Sequence, residues 1–294
     1  MKKFLIIIGF WFCILSGQVT SDYLYKGPRT AALAGSSIGR TSDGWAIFNN
    51  PAGLSQVEGM SIVAGSQKIF NLSFLPYTVA GGTFNLKNAG VIGAGVETMS
   101  VKYDAIKLTS ETAIRFSHGF YLQKDVISSL AFGYSLKFFQ LDYGQSAGPS
   151  GDGTDGVNLG KGNAIGLDIG LQASLRDRHW IGVFVSNINR PKIGEGSTST
   201  PLPQRLQAGF GYSPYSVVWT YFSLTKAVNH DTQYHAGIEY YLFKNIRLMF
   251  GTHTGPSRFG AGISADLNFL NISYGLITHP VLPLTHQFSF GANL

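Results

Sequence analysis

The residues from Ile165 to Leu175 alternate strictly between apolar side chains and polar or small ones. A period of two places the apolar set on one face of a β-strand and the polar set on the other. The chain is therefore predicted to be all-β, with an extended antiparallel sheet that is apolar on one side. The same alternation recurs in six further stretches: 110–122, 205–212, 234–242, 246–253, 259–267 and 270–276.

Composition decides whether that apolar side faces a soluble core or lipid. Only 13% of the residues are charged, against about 25% in a typical soluble domain. The chain has 37 glycines, 21 phenylalanines and 14 tyrosines. Beyond the N-terminal region it has no apolar run long enough for a transmembrane helix. This combination is typical of a transmembrane antiparallel β-barrel in a Gram-negative outer membrane, where lipid surrounds the wall.

The N-terminus has the pattern of a secretory signal peptide. Lys2 and Lys3 form a basic region, and the apolar run Phe4–Leu15 is too short to span a bilayer as a helix. We predict cleavage after Gly17 or Ser21, both of which are small.

The remaining composition and motifs exclude several functions. The only cysteine, Cys13, lies in the signal, so the mature protein has no disulfide, thiol nucleophile or cysteine-bound metal. Without the two leader lysines, 20 basic residues stand against 16 acidic ones, an excess too small and dispersed for a nucleic-acid partner. The segment Gly35–Gly39 matches G-x-S-x-G but lacks the flanking strand and helix of an esterase. The loop 151–156 has two carboxylates but no EF-hand spacing. We therefore predict no enzyme, no catalytic residue, no cofactor and no metal.

Counting every alternating stretch gives about fourteen strands, an even number as in bacterial single-chain barrels. Short connections follow the even-numbered strands, whereas the long connections, 144–162 and 190–203, follow odd-numbered ones. Barrels place short turns in the periplasm and long loops outside, so both termini are predicted to be periplasmic. The predicted strands are 60–70, 76–87, 89–103, 109–122, 126–143, 163–175, 179–189, 204–213, 216–227, 232–243, 246–254, 257–267, 269–278 and 284–294.

The stretch Thr41–Leu54, before the first strand, is neither signal nor strand. Pro51 fixes its own backbone, Gly53 permits a tight reversal, and the side chains of Asn49 and Asn50 can bond the backbone nearby. The stretch is therefore predicted to be a compact turn. It either caps the following strand or fills the lumen as a plug.

Charged residues at the polar positions of the strands are expected to face the lumen. Two pairs are expected to face one another, Lys137 with Asp168 and Arg247 with Asp266. Charges away from bulk water need partners, so we expect these charges to neutralise one another and to hold the N-terminal segment. The alternative is a polar conduit or a gate. The set is Glu111, Arg115, Lys137, Asp168, Arg205, His235, Glu239, Arg247 and Asp266.

Two ordered motifs resemble the N-terminal hatch of the FadL-like superfamily of long-chain fatty-acid transporters, and the PorV/PorQ branch most of all. The first is Arg29-Thr30-Ala31-Ala32-Leu33-Ala34-Gly35, and the second starts at Asp43 and ends with Asn50-Pro51-Ala52-Gly53-Leu54. The resemblance implies a barrel whose lumen is filled by this segment. It divides the chain into a signal peptide (1–21), a hatch (22–58) and an outer-membrane barrel (59–294).

The resemblance implies one of two functions. PorV and PorQ members serve type IX secretion through protein partners, whereas fatty-acid transporters move hydrophobic molecules through an opening in the wall. This chain is short and lacks the long loops of the transporters, which favours secretion-system or cargo proteins as partners over a hydrophobic small molecule. Gly93 and Gly95 either mark a kinked strand at a wall opening or relieve crowding in the lumen.

Overall fold

The computed structural model describes residues 24–103, 106–146, 148–151, 155–194 and 199–294. The predicted signal peptide with both cleavage sites, and part of the loop 151–156, lie outside these residues. No helix in the described part of the chain is long and apolar enough to cross a membrane.

Fourteen antiparallel strands form a closed barrel in which the first strand pairs with the last. A two-stranded hairpin, β8 with β9, lies in the long connection after β7. The strands are β1 (Met60–Lys68), β2 (Pro76–Asn85), β3 (Val91–Tyr103), β4 (Ile106–Lys124), β5 (Ser128–Asp142), β6 (Lys161–Leu175), β7 (His179–Ser186), β8 (Lys192–Ile193), β9 (Thr200–Pro201), β10 (Arg205–Tyr215), β11 (Val218–Ala227), β12 (Gln233–Phe243), β13 (Ile246–His253), β14 (Arg258–Leu267), β15 (Leu270–Ile277) and β16 (Thr285–Asn293).

The predicted fold is confirmed. Each predicted strand is present, with its ends within three residues of the prediction. Closure runs from Ser61 opposite Asn293 to Lys68 opposite His286, so every strand of the barrel has a hydrogen-bonded neighbour on each side, as a lipid environment requires. The small hairpin was not predicted. We call the end of the barrel at which β1 begins and β16 ends the short-turn end, and the other the long-loop end.

The alternation in β6 separates a lipid face from a lumen face. Ile165 and Leu171 point outwards and are 52% and 43% exposed, whereas Asp168 and Gln172 point inwards and are 0% and 1% exposed. Exposed aromatic residues lie beside the turns of the short-turn end, where an aromatic girdle is typical of membrane barrels: Tyr215, Phe243 and Phe269.

The N-terminal segment packs inside the barrel, and we call its described part, residues 24–58, the hatch. It forms α1 (Pro28–Ala32), a 3-10 turn (Ser36–Gly39), α2 (Ala46–Asn49) and a second 3-10 turn (Pro51–Gln56). Proline is well suited to the first turn of a helix, because the N–H that it lacks has no partner there. The turn at Pro51 is fixed further by Asn50, whose Oδ1 accepts a hydrogen bond from the Ala52 N–H at 3.1 Å.

Glycines on the inner wall let the hatch approach the strands at backbone distance. A Cβ at Gly133 would overlap the backbone of Pro51, and one at Gly170 would overlap the Asn50 side chain. On the opposite side of the lumen, a Cβ at Gly251 would overlap the backbone of Leu33. Much of the unusual glycine content therefore makes room for the hatch.

Gly93 and Gly95 belong to the same pattern. A Cβ at Gly93 would lie 2.8 Å from Ile47, and one at Gly95 would overlap the Phe48 ring. Both glycines pair in register with β2 and with β4, so β3 has no break there. The two glycines therefore relieve crowding in the lumen and do not mark a kinked strand at a wall opening.

Candidate functional site

An ion pair joins the first helix of the hatch to the barrel wall. Arg29 projects from α1, and its Nε and Nη2 each donate to the Glu239 carboxylate at 3.1 Å. Such a two-point contact is among the stronger geometries for a charged pair. Arg29 also holds the hatch backbone together, because its Nη1 donates to the Arg40 carbonyl at 3.2 Å.

Glu239 is fully buried in the middle of β12 and has two further contacts. The Tyr221 hydroxyl donates to it at 2.7 Å, and Arg247 Nη1 lies 3.5 Å away. Arg247 in turn pairs with Asp266 at 3.4 Å, so the expected Arg247–Asp266 pair is confirmed. Burial alone would lower the pKa of Arg29, but the Glu239 carboxylate outweighs it and holds that pKa well above its usual value.

A second charged network joins the hatch to another part of the wall. Lys26 pairs with Glu97 of β3 at 3.1 Å, and Glu97 also pairs with Arg115 of β4 at 3.0 Å. Arg115 then pairs with Asp168 of β6 at 2.6 Å. Positive and negative side chains alternate along this network of four residues, so each buried charge lies beside an opposite one.

The expected pair between Lys137 and Asp168 is not formed. In the register of β5 and β6, Lys137 lies opposite Gly166 and Asp168 lies opposite Ser135. Arg115, directly opposite Lys137 on the other neighbouring strand, takes the Asp168 carboxylate instead. Among the described residues, no carboxylate lies within 4.0 Å of the Lys137 ammonium.

Other predicted lumen residues also point inwards. Glu111 and His235 are buried, and Arg205 at the start of β10 is partly exposed. His235 Nδ1 lies 2.6 Å from the Ala34 carbonyl of the hatch. The neighbouring Tyr25 has its pKa raised to about 12 by burial, so it stays protonated at neutral pH.

The hatch motif contributes turn chemistry beside the ion pair of Arg29. Asp43 forms no ion pair with a described residue, and its Oδ1 accepts from the Trp45 N–H at 3.1 Å, just before α2. Asn50 Nδ2 donates to the carbonyls of Leu171 and Val183, at 3.3 and 3.5 Å. Pro51, Ala52, Gly53 and Leu54 are all buried against the wall.

Sequence reasoning missed Lys26, Glu97 and Gln172. A signal for Glu97 was present, because it follows Gly93 and Gly95 at a spacing of two and so shares their inward face. Gln172 lay on the polar face of the clearest strand, and its Oε1 accepts from the Thr41 hydroxyl and backbone N–H, each at 3.0 Å. Lys26 had no pattern around it that pointed to the lumen.

A polar cavity of about 210 Å³ lies between the hatch and the wall at the short-turn end. Arg29, Arg247, Asp43 and Asp266 line it together with Arg40, whose guanidinium lies 4.3 Å from the centre of the Trp219 ring. The described residues contain no cluster of three metal-binding side chains. The site is therefore an assembly of charged contacts that fixes the hatch in the lumen.

Comparison with solved structures gives the same architecture. The toluene transporter TodX of Pseudomonas putida superposes with a TM-score of 0.64 at 12% identity, over 91% of this chain and 98% of that one. The toluene transporter TbuX of Ralstonia pickettii gives 0.62 at 12% identity, over 92% and 99%. A FadL homologue of Pseudomonas aeruginosa gives 0.56 at 8% identity, over 91% and 98%. At these identities the likeness shows the fold alone, a closed β-barrel of the same architecture.

The comparison of sequences gives the family. No curated protein matches the chain. A family model described as type IX secretion system membrane protein PorP/SprF matches residues 65–291, which is nearly the whole barrel. The resemblance to barrels of the type IX secretion system is thereby confirmed, and the chain belongs to the PorP/SprF family of type IX secretion system membrane proteins.

Proposed function

We propose that this protein is an accessory outer-membrane barrel of a type IX-like secretion system and that it acts by binding protein partners, either secretion components or cargo. The observation that carries the proposal is the PorP/SprF match over residues 65–291. In this proposal the hatch closes the barrel, and the long-loop end faces the cell exterior while both termini are periplasmic.

The lumen supports a binding role over conduction. A transporter of hydrophobic molecules needs a continuous apolar path, whereas two charged networks bind the hatch inside this barrel through Arg29 and Lys26. Moving an apolar molecule past them would separate buried ion pairs, which costs several kcal/mol each.

The long-loop end offers apolar side chains to a protein partner. Val281 is 87% exposed in the connection between β15 and β16, and Val157 is 70% exposed in the connection between β5 and β6. A contiguous apolar patch beyond the lipid-facing wall marks a contact site for other proteins, and Leu282 and Leu284 lie in the same connection as Val281, at 40% and 39% exposure. We assign the partner surface to this end.

Co-purification from native membranes tests the proposal. The affinity tag belongs in the turn between β12 and β13 at the short-turn end, away from the partner surface, because the backbone of Leu294 pairs with Met60 and completes the barrel. Secretion components or cargo should co-purify with the wild type and be lost with Val281→Asp. Val126→Asp is the matched control, since Val126 is 99% exposed at the short-turn end.

Each outcome has a meaning. Loss of partners with Val126→Asp alone would move the partner surface to the short-turn end. If the wild type brings down no secretion component or cargo, and its lumen holds lipid or hydrocarbon, the secretion role is wrong. The alternative would then stand, a passive transporter of hydrophobic small molecules, to which TodX and TbuX point as toluene transporters.

A further inference from the structure

The outer wall of the barrel contains an apolar groove of about 610 Å³ that crosses β1 to β5 near the short-turn end. Its floor is Gly82 of β2 and Ala94 of β3, which lie directly opposite each other. Its sides are larger and project from the wall, since Phe84 and Phe116 are 54% and 53% exposed. Two small residues on neighbouring strands therefore create a depression in a wall built mostly from large side chains.

One end of the groove is polar. His118 and Tyr134 lie opposite each other on β4 and β5. His118 Nε2 lies 2.7 Å from the Ala89 carbonyl, and its Nδ1 lies 3.2 Å from the Tyr134 hydroxyl. Because the carbonyl can only accept, Nε2 carries the proton and Nδ1 accepts from Tyr134. The Tyr134 hydroxyl can also rotate away from Nδ1 and donate to an acceptor on a ligand, such as an ester carbonyl.

A basic residue lies beyond this polar end. Lys87 is exposed in the turn between β2 and β3, two residues before Ala89, where it lies outside the groove and borders the cavity at the mouth of the lumen. Among the described residues, no carboxylate lies within 4.0 Å of its ammonium. Apolar, hydrogen-bonding and cationic groups thus follow one another from the wall towards the rim, in the order in which a phospholipid presents acyl chain, glycerol and phosphate.

We propose that this groove is a binding site for one membrane phospholipid, which places an acyl chain over Gly82 and Ala94 and its phosphate beside Lys87. The wall of a membrane barrel faces acyl chains, and Lys residues at the interface attract anionic headgroups. This site is separate from the hatch and from the partner surface, so it goes beyond the proposed secretion role.

Gly82 allows the groove to be filled without strain. A Cβ there would meet only the Ser61 carbonyl oxygen, at 3.8 Å. Gly82→Leu should therefore fold and occupy the groove. Ala236→Leu is the matched control, since Ala236 is exposed on β12 outside the groove.

Native mass spectrometry of the barrel released from detergent micelles measures the binding. The probes are dipalmitoyl phosphatidylglycerol and dipalmitoylglycerol, which share acyl chains and differ in the phosphate. The wild type and Ala236→Leu should retain one phospholipid, and Gly82→Leu should retain about tenfold less, because it loses the packing contacts of the chain. Lys87→Glu should abolish the preference for the phospholipid over the diacylglycerol.

Equal retention by Gly82→Leu and Ala236→Leu would overturn the site. The site would also be overturned if the wild type retained several lipids per barrel with no preferred number. Equal affinity of the wild type for both probes would remove the phosphate contact with Lys87. Heat-modifiable mobility on gels checks that every variant folds, and partner co-purification remains a separate measurement.

Discussion

The ion pair between Arg29 and Glu239 gives the sharpest prediction, because the Glu239 carboxylate is fully buried. Arg29→Met removes both 3.1 Å hydrogen bonds and leaves Glu239 with the Tyr221 hydroxyl and with Arg247 at 3.5 Å. Removing one partner of a buried pair costs about 3–5 kcal/mol. Since Arg247 still compensates part of the charge, we expect about 3 kcal/mol, the lower end of that range.

The substitution destabilises the state in which the hatch is bound in the lumen. The fraction of barrels whose hatch has left its position in the lumen should therefore rise about a hundredfold. Conductance in planar bilayers measures this fraction directly. Arg29→Met should show frequent open events, and the double variant Arg29→Met/Glu239→Gln should close most of them, because no uncompensated carboxylate remains. Lys107→Met is the control, since the Lys107–Asp142 pair is exposed and should contribute about 0–1 kcal/mol.

Two results would refute this reasoning. One is a conductance and an unfolding midpoint of Arg29→Met equal to those of the wild type. The other is a double variant that leaks more than the single one, which would mean that Glu239 holds the hatch through contacts other than Arg29.

Three further substitutions and one deletion follow from the same geometry. Asp168→Asn removes the 2.6 Å ion pair with Arg115 and should lower the free energy of unfolding by about 3 kcal/mol; unchanged urea unfolding and unchanged conductance would show that Asp168 neither stabilises nor gates. Gly133→Ala presses a methyl onto the hatch backbone and should destabilise by about 1–3 kcal/mol, whereas Gly82→Ala points outwards and should change stability by less than about 1 kcal/mol. Deleting residues 27–54 should give a barrel with raised conductance, and a folded barrel with wild-type conductance would show that the hatch does not close the lumen.

The strands could be predicted because lipid and lumen impose opposite chemistry on alternate residues. Each turn carries residues that stop the alternation, so the strand ends follow from the sequence to within three residues. The hairpin of β8 and β9 escaped prediction because each strand has only two residues, too few to show a period.

The charged pairs were predictable only in part. Arg247 and Asp266 meet as expected because they lie on adjacent strands near the same rim. Asp168 on β6 pairs with Arg115 on β4, because the arginine side chain is long enough to extend across β5, where Lys137 lies. The alternation of residues predicts which face a side chain is on, but it does not predict how far that side chain extends. The role of an inward-facing glycine is harder to predict from the sequence than a charged pair, because only the position of Ile47 in the structure shows why Gly93 has no side chain.

The placement of the two hatch contacts limits how the lumen can open. Lys26 pairs with Glu97 on β3, and Arg29 pairs with Glu239 on β12. In the cycle of fourteen strands β3 and β12 lie seven positions apart, on opposite walls. A sideways shift of the hatch that preserves one pair must therefore lengthen the other, so small displacements are opposed in both directions. Opening requires at least one buried ion pair to break, and a partner that binds the loops without breaking it leaves the barrel closed.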